Sequence, residues 1–412
     1  MRVQPITCYR PTPQAAPEFA ALPYDVFDRA EAAAYVADHP KSFLAIDRPE
    51  TNFGPDQDMY APEVYAKAGE LVRQKAFEGT LVKDVTPCFY LYRMEQDGRS
   101  QMGIVAACSI AEYEDGTIRR HENTRPEKTA DRVKHIRALG AQTGPVFIAY
   151  KDSEAINVIT GLASMADPIY DFTDEYGVRQ RVWRVARPVA VEALETAFTT
   201  IDTAYIADGH HRASAAAQVC RDLREETGAE GELPSDFFLC VLFPASQLAI
   251  MAYNRVVHDT AGMNEDELLE AFKQAGFEAG PAGDAPIEPA EKRCFGLYAF
   301  GKWRELRYVG EAPSAKEDPA GALDVSILQE HLLGPILGIE DPRTDSRITF
   351  VGGIEGTEAL ERKAGETGIA FSLHPTTIGE LVGVSDAGQL MPPKSTWFEP
   401  KIRSGLFIRR ID

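Results

Sequence analysis

The fold of this chain is decided by the stretch YIADGHHRASAA, residues 205–216. It joins a short apolar run, an abrupt polar turn and a run of small residues typical of a helix. Gly209 lets the backbone turn sharply between the two elements. The helix directs its first free N–H groups and the positive end of its dipole toward the turn. An anion, above all a phosphate, is favoured at such a position.

Polar side chains are dense in this turn. Asp208, His210, His211 and Arg212 occupy four of five consecutive positions. One Asp-Gly turn or one histidine is more often structural than functional, but this density contributes little to packing. The joint occurrence therefore favours a functional site in which the histidines and Arg212 supply donors and positive charge.

Length, composition and charge limit the classes of function. The 412 residues suffice for two or three domains or one composite unit, and 44% hydrophobic and 26% charged residues are ordinary for a globular protein. The formal charge of −20 argues against general binding to nucleic acids or membranes, although a local basic cluster still acts on small anions at short range. The sequence shows no signal core and no apolar stretch of membrane-spanning length, so we expect a cytoplasmic protein.

The cysteines favour a reducing compartment. None forms a Cys-x-x-Cys pair, and several lie in apolar runs. This pattern predicts buried, reduced thiols rather than a disulfide framework or a zinc site.

A second dense stretch reads HENTRPEKTADR, residues 121–132, and leads into a basic helix at 133–139. A solvated helix face is the structural interpretation. Clustering with His121 and the hydroxyls of Thr124 and Thr129 favours an anion site instead. The local excess of positive charge comprises Arg119, Arg120, Arg125, Lys128, Arg132, Lys134 and Arg137.

The C-terminal stretch MPPKSTWFEPKIRSGL, residues 391–406, is also polar. Lys394, Ser395 and Thr396 offer an ammonium group and two hydroxyls after a rigid Pro-Pro, and Lys401 adds a further charge. This suits a phosphate, but it is not a Walker A loop because the preceding glycines are missing.

The remaining pattern predicts an alternation of helices and strands. Asn254 and Arg255 interrupt a buried run, and we expect them to face the same site as His210, because buried polar groups need partners. We expect a core at residues 1–261, a small α+β subdomain at 262–345 and a segment at 346–412 that returns to the site. Further predicted elements are a strand at 42–47, helices at 60–79, 153–166, 188–198, 264–275, 324–333 and 355–365, hairpins at 88–108, 171–185 and 294–309, and strands at 146–150, 237–243, 348–351 and 369–374.

Three motifs together resemble one family. The turn at 208–212, the stretch at 121–128 and the tail at 391–406 are similar, in kind and in order, to a bacterial and archaeal family known as domain of unknown function 1015. The resemblance begins at the segment PYDV, residues 23–26, and covers nearly the whole chain.

The turn also resembles the phosphate-binding turn of the ParB/sulfiredoxin superfamily. That superfamily includes CTP-hydrolysing ParB proteins, ATP-using sulfiredoxin and free-serine kinases with the segment Asp-Gly-His-x-Arg. The resemblance implies an α+β fold, with a ParB/sulfiredoxin-like mixed α/β core and a smaller C-terminal α+β subdomain. It also implies that Gly209, His210 and Arg212 contact nucleotide phosphates, and that Asp208 binds Mg²⁺ or orients a nucleophile.

The activity implied by this resemblance is nucleotide-dependent phosphotransfer to or from a small hydroxylated metabolite, with serine or phosphoserine as substrate. ADP or ATP is the expected nucleotide, with CTP as another option, and Mg²⁺ is the expected ion. The base is Asp208, Glu122 or Asp25, and the expected catalytic set also includes His210 and His211. The expected binding residues are Gly209, Arg212, His121, Thr124, Arg125, Lys128, Asn254, Arg255, Lys394, Ser395, Thr396 and Lys401.

Two other functions compete with this interpretation. One is a nucleotide-binding or nucleotide-hydrolysing regulator of the ParB type without small-molecule turnover; the acidic charge argues against a DNA clamp but not against a nucleotide sensor. The other is a metal-dependent hydrolase using His210, His211 and Asp208, which is less favoured because adjacent histidines in a turn point in different directions. The expected partners are a small molecule and, as an option, a second copy of the chain.

Overall fold

A computed structural model describes residues 1–411 of the chain and shows an α+β fold, as the sequence predicts. By contacts within the chain, these residues divide into two compact units. Unit 1 comprises Met1–Arg120, Thr124–Leu248 and the chain from Pro400 onward, and unit 2 comprises His121–Asn123 and Ala249–Glu399. The division predicted at residues 261 and 345 stays a prediction.

Strands and helices are interspersed along the chain, and several consecutive strands are joined without a helix between them. The strands are β1 (Val3–Gln4), β2 (Cys8–Pro11), β3 (Leu81–Lys83), β4 (Phe89–Gln96), β5 (Arg99–Ser109), β6 (Ile118–Arg119), β7 (Ala141–Gln142), β8 (Val146–Tyr150), β9 (Tyr170–Thr173), β10 (Arg179–Val185), β11 (Ala204–Asp208), β12 (Phe237–Pro244), β13 (Ile250–Met251), β14 (Tyr253–Val257), β15 (Phe277–Ala279), β16 (Cys294–Ala299), β17 (Lys302–Tyr308), β18 (Ile348–Gly352), β19 (Ile369–Leu373), β20 (Trp397–Phe398) and β21 (Ile408–Arg410). The helices are α1 (Ala16–Phe19), α2 (Arg29–Asp38), α3 (Leu44–Asp47), α4 (Pro62–Phe77), α5 (Ile110–Glu114), α6 (Pro126–Leu139), α7 (Glu154–Ala163), α8 (Pro188–Phe198), α9 (His210–Thr227), α10 (Glu265–Gln274), α11 (Asp324–Leu328), α12 (Gly356–Ala364) and α13 (Ile378–Asp386).

Unit 1 is built on a nine-stranded mixed sheet, in the order β6-β11-β8-β12-β5-β4-β10-β9 with β1 added beside β5. The central strand β12 is buried along its whole length and pairs parallel with β8 and antiparallel with β5. The hairpin predicted at 88–108 is confirmed, because Asp97 and Gly98 join β4 to β5 with positive φ angles of 49° and 75°. Such angles match the twist that a tight hairpin requires.

The small residues of α9 let this helix pack closely on its neighbours. Ala213, Ala216 and Ala217 belong to the main core of unit 1, while Ala215 and Val219 pack against α6 in a separate apolar cluster. The N-terminal end of α9 is thereby fixed at the end of β11. A four-stranded sheet in the order β3-β2-β21-β7 completes unit 1.

Two sequence predictions for unit 1 are wrong. The strand expected at 42–47 is the short helix α3, all of whose residues are buried; a short apolar run on its own does not distinguish a strand from a buried helical turn. The helix expected to begin at Val133 begins at Pro126. Proline at the first helical position sets φ for the helix and loses no internal hydrogen bond.

Unit 2 contains a six-stranded antiparallel sheet, in the order β15-β17-β16-β19-β14-β18. The predicted hairpin of β16 and β17 is confirmed. Helix α12 packs on this sheet through Ala359, Leu360 and Ala364, against Val256 and Trp303. A separate pair, β13 and β20, joins the start of the unit to the C-terminal polar stretch. The helix predicted at 324–333 consists of α11 and a following π-helical turn, Gln329–Leu333.

The cysteines and helices agree with the sequence expectations. All six cysteines are buried free thiols, as predicted. Among residues 1–411, no helix has both the length and the apolar character that a membrane crossing requires.

Candidate functional site

Strand β11 and helix α9 meet at an abrupt turn. Gly209 lies between them with φ 94° and ψ 29°, a left-handed conformation that glycine adopts without steric cost. Just before it, the pairing of β11 with β8 shifts between Ile206 and Asp208, and such a bulge redirects the side chains that follow. The turn therefore presents Asp208 beside the first turn of an 18-residue helix.

The side chain of Arg212 folds back over this turn. Its Nη1 donates to the carbonyl of Pro145, and the residue is only 9% exposed. A Cβ atom at Gly209 would lie 2.9 Å from the guanidinium group, and one at Gly144 would lie 3.2 Å from Arg212 Cδ. Both glycines thus make room for the arginine in addition to shaping the backbone.

Asp208 connects two cations at the turn. Its Oδ2 lies 3.2 Å from Lys401 Nζ, and its Oδ1 lies 3.5 Å from Arg212 Nη2. Arg212 Nη2 is buried and makes no hydrogen bond within the described residues. Unit 1 therefore brings together three residues predicted for the site, Asp208, Arg212 and Lys401, from positions far apart in the sequence.

The two histidines of the turn differ in exposure. His210 is buried at 8% exposure, whereas His211 is half-buried. Both occupy the first turn of α9, where the N–H groups have no partner inside the helix. This placement puts imidazole groups of different accessibility beside the positive end of the helix dipole.

Behind Arg212 lies a buried polar layer that sequence reasoning did not identify. The guanidinium of Arg132 stacks 3.9 Å from the ring centroid of Tyr24 and pairs with Asp131 at 2.7 Å and Asp47 at 3.4 Å. A cavity of about 30 Å³, which is room for about one water, is bordered by Tyr24, Asp47, Arg132 and Arg212. The layer supports Arg212 from the interior, so Arg132 is a structural residue and not part of the exposed basic cluster.

His135 belongs to the same layer. Its Nε2 lies 2.9 Å from the carbonyl of Ile46. Burial, reinforced by the positive charge of Arg132, lowers the pKa of His135 below its usual value. The neutral imidazole with a proton on Nε2 fits this hydrogen bond.

The rest of the basic stretch is more exposed. Arg125 precedes α6 and is exposed, while Thr124 and Lys128 are half-buried. Arg137 forms an ion pair with Glu226 at 2.7 Å and is a helix-face residue, as the structural interpretation had it.

Asp25 is exposed on the short turn Tyr24–Val26 of unit 1. Asp28, and not Asp25, caps helix α2, since its side chain accepts from the N–H of Glu31. Asp25 therefore does not cap this helix.

Unit 2 carries its own polar cluster, built from His121 and the C-terminal stretch. The carbonyl of His121 accepts from the N–H of Met391 at 2.8 Å, and its Nε2 lies 3.3 Å from Thr396 Oγ1. Ser395 is buried, and its hydroxyl donates to the carbonyl of Pro392 at 2.6 Å. Glu122 is half-buried. About 270 residues separate these partners in the sequence, and they come together only in the folded chain.

Arg255 and Asn254 are also buried in unit 2. Arg255 donates to the carbonyls of Tyr253 and, at 3.2 Å, Pro393, and burial lowers its pKa to about 10. Asn254 Oδ1 accepts from the N–H of Leu373 at 3.0 Å. Lys394 has a positive φ of 57° and places its ammonium 5.5 Å from the centroid of the Tyr253 ring. The predicted convergence of these residues with His210 stays a prediction.

Comparison with models of protein families assigns the chain to one family. The family described as "protein of unknown function (DUF1015)" matches residues 3–326. The chain belongs to this family. The match includes the Asp208–Arg212 turn and the 121–132 stretch, and it confirms the family resemblance of the sequence. No curated protein matches the chain significantly.

Solved structures provide only distant matches to this chain. A free serine kinase variant in complex with AMP is 13% identical, with a TM-score of 0.38, over 74% of this chain and 91% of that chain. A conserved hypothetical protein from Pyrococcus furiosus is 14% identical, with a TM-score of 0.34, over 74% and 95%. C-terminally truncated SbnI from Staphylococcus aureus is 11% identical, with a TM-score of 0.37, over 74% and 87%. Likeness at this distance assigns no residue of this chain a role.

Proposed function

We propose that this protein is a nucleotide-dependent phosphotransferase whose phosphate-binding element is the turn at residues 208–212. One observation carries the proposal: Asp208 lies between Lys401 and Arg212, at the N-terminus of α9. Packing alone gives little reason to bring two cations, a left-handed glycine and a helix N-terminus together at one point. An anion at this position gains from all of them.

In this proposal, phosphate oxygens accept hydrogen bonds from the first N–H groups of α9, from Arg212 Nη2 and from Lys401 Nζ. Asp208 holds the two cations in place before the nucleotide binds. Pre-positioned donors matter in phosphoryl transfer, because catalysis there consists mainly of positioning and charge neutralisation. Asp208 is then a positioning residue.

The surroundings of Asp208 do not fit a resident Mg²⁺ ion. Both of its carboxylate oxygens face a cation, Lys401 on one side and Arg212 on the other. A second positive ion would have to displace them against charge repulsion. A divalent cation would arrive with the nucleotide, as part of the substrate.

The proposed acceptor is serine, and phosphoserine in the reverse direction; the similarity of DGHHR to the Asp-Gly-His-x-Arg segment of free-serine kinases supports it. In the forward direction, the serine hydroxyl oxygen forms a bond to the terminal phosphorus, and the bond from that phosphorus to its bridging oxygen breaks. The hydroxyl proton goes to a carboxylate. Asp208 is poorly suited to accept it beside two cations, which favours Asp25 over Asp208 as the base within unit 1.

A ligand screen followed by a turnover assay tests this function. Thermal unfolding is measured with ATP, ADP, CTP, serine and phosphoserine, each with Mg²⁺, because a ligand bound only by the native state raises the melting temperature. The pair that stabilises is then incubated with enzyme, and phosphoserine, ADP and AMP are quantified. We expect serine-dependent nucleotide consumption, lost in Arg212→Ala. No stabilisation by any nucleotide would contradict the proposal.

The same experiment separates the competing function. A nucleotide-binding regulator predicts stabilisation by a nucleotide and, at most, slow release of inorganic phosphate that free serine does not change. A phosphotransferase predicts that serine accelerates nucleotide consumption and that phosphoserine accumulates in equal amount.

A further inference from the structure

Unit 1 has a second basic feature, a surface groove of about 870 Å³ beside β2 and β21. The groove is lined by residues 4–9, by residues 232–234 and by Lys83, Arg409 and Arg410. Its volume lies within the range of small-molecule sites. None of these residues takes part in the proposed phosphotransfer.

Arg409 is the unusual member of this groove. The residue is 7% exposed, and its guanidinium donates to three neutral oxygens: the carbonyl of Phe237 at 3.0 Å, the carbonyl of Pro234 at 2.7 Å and Gln142 Oε1 at 3.3 Å. Within residues 1–411, no carboxylate forms an ion pair with it. Burial lowers its pKa to about 10. A buried cation without a counter-charge is costly, and buried charges are normally paired.

Two further cations, Lys83 and Arg410, line the groove. Lys83 places its ammonium 5.8 Å from the centroid of the Tyr9 ring, and Arg410 is exposed at the rim. The acidic lining residue, Glu232, pairs with Arg2 at 2.6 Å and accepts from Gln4 at 3.0 Å. The groove therefore has a net positive charge in a protein with a formal charge of −20.

We propose that this groove is a second anion-binding site, which takes a small phosphorylated metabolite. Lys83 and Arg410 contact the phosphate, and the positive charge of Arg409 beneath them adds to the attraction. The ring of Tyr9 and the side chains of Ile6 and Leu233 cover the apolar part of the ligand. The site is independent of the turn at 208–212 and does not rest on the proposed phosphotransferase function.

Calorimetric titration with pyrophosphate tests the site in the full-length protein. The variant Lys83→Gln/Arg410→Gln leaves the buried Arg409 intact and so preserves the fold. The matched control is Arg99→Gln/Lys151→Gln, which removes the same charge from exposed positions of unit 1 outside the groove. We expect the groove variant to lose one equivalent of bound pyrophosphate, or to bind that equivalent with a dissociation constant at least about tenfold higher. The control variant is expected to bind pyrophosphate like the wild type.

Repeating the titration with Arg212→Ala separates the two anion sites. We expect Arg212→Ala to keep the equivalent that Lys83→Gln/Arg410→Gln loses. If the groove variant and its control bind pyrophosphate alike, or if the wild type binds none, the groove is not an anion site. Failure of nucleotide to bind at the turn would leave this result unchanged, so the two proposals fail separately.

Discussion

Lys401 Nζ lies 3.2 Å from Asp208 Oδ2, although 193 residues separate them in the chain. The lysine side chain is 11% exposed and the aspartate side chain 27%, so water screens the pair only in part. Asp208 also faces Arg212. The ion pair therefore attaches the C-terminal segment of unit 1 to the turn that carries the proposed function.

A double-mutant cycle measures this attachment. Lys401→Met and Asp208→Asn are each expected to lower the free energy of unfolding in urea. Together they are expected to cost less than their sum by about 1 kcal/mol, because the second substitution removes no further ion pair. The matched control is the pair Lys67 and Glu70 on α4, whose side chains are 31% and 59% exposed; its expected coupling is about 0.3 kcal/mol. Equal coupling energies in the two cycles would show that partial burial at the turn does not strengthen the ion pair between Lys401 and Asp208.

Gly209→Ala is expected to damage both stability and nucleotide binding. The substitution puts a side chain at φ 94° and a Cβ 2.9 Å from the Arg212 guanidinium. We expect unfolding free energy to fall by about 2–4 kcal/mol and nucleotide-dependent stabilisation to disappear.

Gly98→Ala is the control for that variant. It has a comparable φ of 75°, but open space surrounds the new Cβ. We expect a cost of about 1 kcal/mol and unchanged nucleotide binding. Equal losses of binding in both variants would trace the effect to general instability.

Arg212→Lys tests whether the turn needs a guanidinium or only a charge. Arginine reaches Pro145 and faces Asp208 with different nitrogens of one planar group, and a lysine ammonium does not reproduce that fork. We expect the dissociation constant for the stabilising nucleotide to rise by about tenfold or more. Arg137→Lys, at an exposed helix position paired with Glu226, is expected to bind like the wild type. Wild-type affinity in Arg212→Lys would reduce the role of Arg212 to its charge.

His135 contributes to the pH dependence of stability. Because its pKa is lowered in the folded protein, the unfolded chain takes up a proton near pH ~6.5 that the native state refuses. The free energy of unfolding therefore falls as pH drops below this value, by up to about 1.4 kcal/mol per pH unit for this one proton.

Urea unfolding at pH 7.5 and pH 5.5 measures this effect. In His135→Gln we expect the difference between the two pH values to shrink, since glutamine keeps a donor for Ile46 and does not titrate. His258→Gln, which alters a histidine hydrogen-bonded to Thr349 at the surface of unit 2, is the control. An unchanged pH dependence in His135→Gln would contradict the assigned protonation state.

Local patterns predicted much of the secondary structure. The hairpin at Asp97-Gly98, the strand–turn–helix around Gly209 and helix α8 follow from turn residues and periodicity, which act over a few residues. The strand expected at 42–47 failed because those residues are buried on all sides, and burial on all sides hides the period that distinguishes helix from strand.

Candidate site residues stood out where polar chemistry is concentrated in the sequence. Asp208, Gly209 and Arg212 drew attention by their density. Arg409 did not, because a single arginine in a short terminal strand resembles any exposed residue until its burial is known. Arg132 shows the opposite error. The sequence placed it in a local cluster of positive charge, whereas in the structure it is a buried residue stacked on Tyr24.

The sequence by itself determined the family, the α+β class and the polar turn between β11 and α9, because each depends on residues that are neighbours along the chain. Only the tertiary structure decided that Lys401 and Arg212 meet at Asp208 and that Arg409 is buried among neutral oxygens. Ion pairing and desolvation depend on distances in space between remote segments, and these distances exist only once the β11–α9 turn is packed into unit 1.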